Sequence, residues 1–139
     1  MTCTFFGNRD APDVSTILRE VLIDLIENRK VDSFLVGNNG RFDDIVIKEL
    51  AMLQQRYSHI RWSVVLAYMP RQKNMIFPTI YPEGMENVPP KYAIARRNKW
   101  MIEQADCVVA YTRYTTGGAA RCRGLAEKKG KIVIDLPIN

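Results

Sequence analysis

Asp106-Cys107-Val108-Val109-Ala110-Tyr111, then Thr112-Arg113-Tyr114, then Thr115-Thr116-Gly117-Gly118-Ala119-Ala120: these fifteen residues decide the fold. Val108-Val109-Ala110 is apolar without alternation, the pattern of a strand covered on both faces. The polar glycine loop behind it opens a helix that the spacing predicts over 117–129, and Gly130 suits the left-handed residue that ends such a helix. Residues 131–136 resume a strand, and Ile132-Val133-Ile134 is again apolar throughout, so it too is expected to be covered on both faces. A strand, a glycine loop, a helix and a second strand make one βαβ unit.

The same grammar repeats towards the N-terminus. Residues 3–6 form a strand ending at Gly7. Ile17, Leu18, Val21, Leu22, Leu25 and Ile26 recur at helical spacing, with Ser15 or Thr16 as N-cap and an end near Asn28 or Arg29. Residues 33–36 stop at Gly37, and Phe42 to about Tyr57 repeats the helical pattern through Ile45, Ile47, Leu50, Met52 and Leu53. Residues 62–67 make a third strand. The stretch from Met69 to Pro90 holds five prolines and cannot be one regular element; its length suits a segment that covers a ligand. Helix returns over 92–104, with Trp100 and Met101 facing the core. Alternating strands and helices imply right-handed crossovers and a mostly parallel sheet. The expectation is an α/β, Rossmann-like three-layer sandwich with five strands, in a single domain spanning residues 1–139.

Composition narrows the class. Of 139 residues, 47% are hydrophobic, enough for a sizeable core, and the net charge is +5. That charge favours anionic partners, but no arginine- or lysine-rich run marks a nucleic-acid module, which is disfavoured. The N-terminal residues lack a basic region and a long apolar run, so they read as a strand and not as a signal peptide. No apolar stretch approaches the roughly 20 residues that span a bilayer, so no membrane association is expected. Cys3, Cys107 and Cys122 have no metal-type spacing and fit free thiols in the cytoplasm. His59 is the only histidine, which leaves no basis for a metal site or a Cys–His pair. No cofactor is indicated, and homo-oligomerisation is compatible with the sequence.

In an open parallel sheet, ligands bind beyond the carboxyl ends of the strands where the winding reverses. Three glycine loops lie at such ends. The third, Thr115-Thr116-Gly117-Gly118 with Arg113 upstream, can bring backbone N–H groups and a helix N-terminus to an anion; an ordinary strand–helix turn is the alternative. The second, Gly37-Asn38-Asn39-Gly40, adds Arg41 for an anion and Asp43 for a ribose hydroxyl, unless Asp43 merely complements the helix dipole. The first, Gly7-Asn8-Arg9, offers an arginine for bidentate contact with phosphate or for a contact with Asp10 or Asp13. Arg97 and Asn98 precede the fourth strand on their helix. Tyr111 and Tyr114 can stack on a base or pack on the proline-rich segment. Glu103 is a lone helical carboxylate, either catalytic or solvent-exposed.

These motifs, in this order and spacing from Cys3 to Leu136, resemble the SLOG superfamily, Rossmann-like proteins related to the plant cytokinin-activating LOG enzymes and to the DNA-processing protein DprA. The likeness is strongest to small stand-alone bacterial members of the YpsA type. It rests on Phe5-Phe6-Gly7-Asn8-Arg9, on Gly37 to Asp43, on Arg97-Asn98 through Ala105-Asp106, and on Tyr111 and Thr115 to Ala120, with Ala126 and Gly130 beyond. The resemblance implies a small nucleotide-type ligand, ADP-ribose-like or another phosphorylated nucleoside, at the strand ends. Two departures stand out. Gly-His-Arg in the family is Gly7-Asn8-Arg9 here. The LOG motif Pro-Gly-Gly-x-Gly-Thr-x-x-Glu ends here at Gly124, so the glutamate of nucleotide phosphoribohydrolase chemistry is missing. Binding or sensing is therefore expected ahead of hydrolysis, for which Glu103, Asp43 or Glu83 would have to substitute.

Overall fold

The computed structural model describes residues 1–70 and 76–138. Its elements alternate along the chain: β1 (Thr2–Gly7), α1 (Ser15–Asn28), β2 (Ser33–Val36), α2 (Arg41–Arg56), β3 (Arg61–Val65), β4 (Thr79–Ile80), α3 (Ala93–Gln104), β5 (Cys107–Tyr111), α4 (Gly118–Lys128) and β6 (Ile132–Asp135). The sheet is parallel throughout, in the order β4-β3-β2-β1-β5-β6. The architecture is the expected Rossmann-like sandwich with one strand more. The extra strand is β4, inside the proline-rich segment, where the β-branched pair Thr79-Ile80 is too short, between Pro78 and Pro82, to announce a strand. Single 3₁₀ turns at Met85–Asn87 and Pro90–Tyr92 follow it. The part of that segment between 71 and 75 lies outside the described residues. Among the described residues no helix is long and apolar enough to cross a membrane.

Period-two alternation splits the core into two layers. Phe5, Phe34, Val36, Val64 and Val109 join Leu18, Leu22, Leu25, Val46 and Leu50 of α1 and α2 on one face. Phe6, Val65 and Val108 meet Met101 and Ile102 of α3 and Ala126 of α4 on the other. The central strands β1 and β5 are buried on both faces, as their composition implies. β6 is not: Ile132 is 47% exposed. It is an edge strand, so Ile134 on one face and Val133 on the other are only partly covered by the two helical layers. Met52 is likewise exposed, because α2 buries Phe42, Val46, Leu50 and Leu53 instead.

Helix ends follow local chemistry. α1 starts one residue earlier than a Ser15 cap implies. Val14 is the N-cap, and the Asp13 carboxylate accepts hydrogen bonds from the Ser15 N–H (3.0 Å) and hydroxyl (2.5 Å). α4 ends in a Schellman motif: Gly130, at φ 75°, donates its N–H to Glu127 O, and the Lys131 N–H goes to Ala126 O, each at 3.0 Å.

Gly7 has a different reason to be glycine. A Cβ there would fall within the Phe42 ring, which closes over the end of β1 and stacks on Tyr111 with ring centroids 6.2 Å apart. The substitution Gly7→Ala is expected to destabilise the fold by about 1–3 kcal/mol through overpacking, lowering Tm by several degrees. An unchanged midpoint in thermal denaturation would show that the Phe42 ring moves aside freely.

Candidate functional site

β1 leads through α1 to β2 on one side, whereas β5 lies on its other side, so the winding direction reverses between β1 and β5. The three glycine loops meet beyond this point. The Asn8 N–H donates to Tyr111 O (3.2 Å), and the Arg41 N–H donates to Arg9 O (2.9 Å). Gly40, at φ 108°, passes so close that a Cβ would come 2.7 Å from the Arg9 Cα. Loop one thus touches both of the others. Between them lies a cleft of about 180 Å³ lined by Gly7, Asn8, Arg9, Asn39, Asp43, Arg97, Asn98 and Gly118. Its walls are completed by apolar groups that sequence reasoning did not assign to the site, notably Phe6, Ile94 and Met101. Ile94, Arg97 or Asn98, and Met101 recur at helical spacing, and that periodicity was the available signal.

Arg97 organises the cleft. It is 1% exposed. Its Nη1 donates to Val65 O (2.9 Å) and, at longer range, to Asn38 Oδ1 (3.4 Å), its Nη2 donates to Asn39 Oδ1 (2.6 Å), and its Nε to Asn98 Oδ1 (2.8 Å). Across the cleft Asn8 Oδ1 accepts the Arg113 N–H at 2.7 Å. The carboxamide oxygens of Asn8, Asn39 and Asn98 are therefore all held by protein donors. What each can offer to the cleft is its NH2 group. Together with Arg9, the site presents donors on three sides.

Asp43 is the one carboxylate in the lining. Its Oδ2 accepts the Asn39 N–H at 2.9 Å. Burial pushes its pKa up to about 6, against the pull of the Asn39 N–H and the Arg97 charge. Glu83 and Glu103 are exposed and lie outside the cleft. Gly124 is also exposed, with nothing within 4 Å of a Cβ built there, and it borders no part of the cleft.

The remaining residues singled out in the sequence sit farther out. Gly37 and Asn38 back the cleft: a Cβ on Gly37 would lie 3.0 Å from both the Arg97 guanidinium and Asp43 Oδ2. Arg41 points its side chain into a separate recess with Asp13, Arg19 and Lys48. Arg113 lies over the Tyr114 ring, 5.7 Å from its centroid, and contributes only its N–H. Thr115, Thr116 and Gly117 are exposed on the outer side of the loop. Gly117 adopts φ 103° as the N-cap of α4. Tyr111 is buried against Phe42, and the Tyr114 hydroxyl donates to Asp10 Oδ2 at 2.7 Å. Arg9 has no carboxylate within 4.0 Å among the described residues, so no contact with Asp10 or Asp13 occupies it. Cys122 is pushed up to about 11 by burial, with the Asn98 side chain pulling the other way, which leaves it a neutral thiol and a poor nucleophile near pH 7.

No protein-family model matches the chain, and comparison with curated proteins finds no match.

The Asp43 shift has a consequence for stability. The folded protein holds this proton more tightly than the unfolded chain, whose carboxyl has the ordinary value of 3.8. The stabilisation is complete below about pH 4 and is lost as pH rises through 6. Two units correspond to about 3 kcal/mol. Asp43→Asn should therefore gain stability relative to the wild type by up to that amount between pH 4 and 7, read from urea midpoints at each pH. A difference that stays flat across this range would rule out a buried, raised carboxyl.

Proposed function

We propose that the switch-point cleft binds a phosphorylated nucleoside or a related nucleotide derivative. The observation that carries this reading is the orientation of Asn8, Asn39 and Asn98. With every carboxamide oxygen turned inward, the cleft offers N–H donors and the Arg9 guanidinium to an acceptor-rich, anionic group. Asp43 supplies the single acceptor a sugar hydroxyl needs. The position at the reversal of strand order, where open α/β sheets bind ligands, supports the same reading, as does the resemblance to the SLOG superfamily.

Gly118 makes the reading testable. It is the first residue of α4 and lines the cleft. Its φ is not positive, and nothing lies within 4 Å of a Cβ placed on it. Neither the backbone nor the packing requires glycine, whereas a phosphate resting on the Gly118 N–H does. Alanine at a compatible position stabilises by about 0.4–1 kcal/mol. Gly118→Ala should raise the Tm of the free protein by a degree or more and abolish the ligand-induced shift. For the wild type, a nucleotide present at 100 times its Kd should stabilise by about 2.7 kcal/mol. A wild-type Tm that does not move with any member of a nucleotide panel at millimolar concentration would refute the reading. A full shift in Gly118→Ala would move the ligand away from α4.

Asp43 favours one second reading, cleavage of the N-glycosidic bond of a bound nucleotide. A carboxyl near pKa 6 within a ligand cleft is suited to general acid–base work near neutrality. Incubating concentrated protein with nucleoside monophosphates should then release free base and ribose 5-phosphate, and Asp43→Asn should abolish the release. Absence of both products by chromatography in the wild type would leave binding alone.

A further inference from the structure

At about 180 Å³ the cleft falls below the roughly 300–1,000 Å³ of typical small-molecule sites. It does not end at its rim. Arg9, Ile94, Asn98 and Gly118 also line an adjoining groove of about 520 Å³ between α3 and α4. The chemistry changes across this junction. Beyond it the groove adds Lys91, Lys99 and Arg121, and its lining contains no aspartate or glutamate. Ile94 and Leu125 give it an apolar floor. Among the described residues none of Arg9, Lys91, Lys99 and Arg121 has a carboxylate within 4.0 Å, so the charge gathered in this groove is not neutralised in place. A groove that joins the cleft and carries cations without counter-charges has the electrostatics of an anion subsite.

We propose that the α3–α4 groove is a second phosphate subsite, so that the ligand carries two phosphoryl groups, as in a nucleoside diphosphate or a pyrophosphate-bridged dinucleotide. The inference rests on the nucleotide reading of the cleft and adds the ligand's length and charge. One phosphoryl group lies at the junction, against Gly118, Arg9 and the asparagine donors. The next projects along α3 between Lys99 and Arg121. The apolar floor accepts the carbon face of whatever follows it.

The test compares affinities within one base. Nucleoside 5′-monophosphates and 5′-diphosphates are titrated calorimetrically into the wild type and into the double variant Lys99→Glu, Arg121→Glu. Both side chains are exposed and lie outside the cleft lining, and retained folding is checked by circular dichroism. The diphosphate should bind at least tenfold more tightly than the monophosphate of the same base. The double variant should erase that advantage and leave the monophosphate Kd within twofold. Milder single changes, Lys99→Ala and Arg121→Ala, should each remove part of it. Equal wild-type affinities for the two ligands, or an advantage that survives the double variant, would overturn the second subsite while leaving the cleft reading intact. If no mononucleotide binds at all, the cleft reading fails and this inference fails with it. Tighter binding of a single-stranded oligonucleotide than of any diphosphate would overturn the proposal in favour of a polymer backbone in the groove.

Discussion

The guanidinium of Arg97 stands where α3, the carboxyl end of β3 and the Gly37–Gly40 loop meet, almost wholly out of water. Removing an arginine from solvent costs several kcal/mol unless its donors are satisfied and a counter-charge is near. Here a main-chain carbonyl and three asparagine oxygens accept its hydrogen bonds, and Asp43 lies close enough for its charge to act on the arginine. Burial lowers the Arg97 pKa and raises that of Asp43. The attraction between the two charges opposes both shifts, but burial outweighs it at each. The glycine at 37 is part of the same arrangement, because a Cβ there would press on both groups at 3.0 Å and make them shift.

Much of the cleft's chemistry follows from this one group. An asparagine can face a ligand with either end. Arg97 fixes the choice at Asn39 and Asn98 by binding their oxygens, and the Arg113 N–H does the same at Asn8. A carboxamide held in this way is a preorganised donor that pays no reorientation cost when an anion arrives. Asp43 is kept near neutral pH by the same burial, so the site combines fixed donors with one acceptor whose charge responds to pH. The stability this fold gains by protonating Asp43 is the reverse of the usual carboxylate behaviour, seen here at Asp13, Asp32 and Asp135. Their pKa values are lowered by hydrogen bonds or ion pairs, and their stabilisation is lost on acidification.

The glycines illustrate how similar loops serve different needs. Gly7 makes room for the Phe42 ring and Gly40 for the Arg9 backbone, and Gly117 supplies a left-handed N-cap. Those three are explained by the fold. Gly118 is not, since open space lies over it. Gly124 also has open space over it, so what distinguishes Gly118 is its place at the start of α4 in the lining of the cleft. The cleft and the α3–α4 groove share that residue, so a ligand spanning both would be anchored at their junction.

The order of elements and the parallel sheet were legible in the sequence because they depend on local periodicity and on glycines at strand ends, which each segment carries by itself. The convergence of the three loops was legible too, since strand order in such sheets places successive carboxyl ends along one edge. The two-residue β4 was not, because its pairing with β3 is imposed by a neighbour and not by its own pattern. Nor was the exposure of β6, which depends on how far the helical layers extend across the sheet. The roles of individual residues divide the same way. Arg9 and Gly118 stand at the loop positions that marked them. Arg97, Asn98 and Asp43 are candidates in the sequence as well, but their burial and hydrogen-bond orientation are not legible there, because both arise only when distant segments pack. Sequence alone determined which chemistry is available at the sheet edge. Tertiary structure decided which ends of those side chains face the cleft, because a single buried charge claims the oxygens and leaves the donors free.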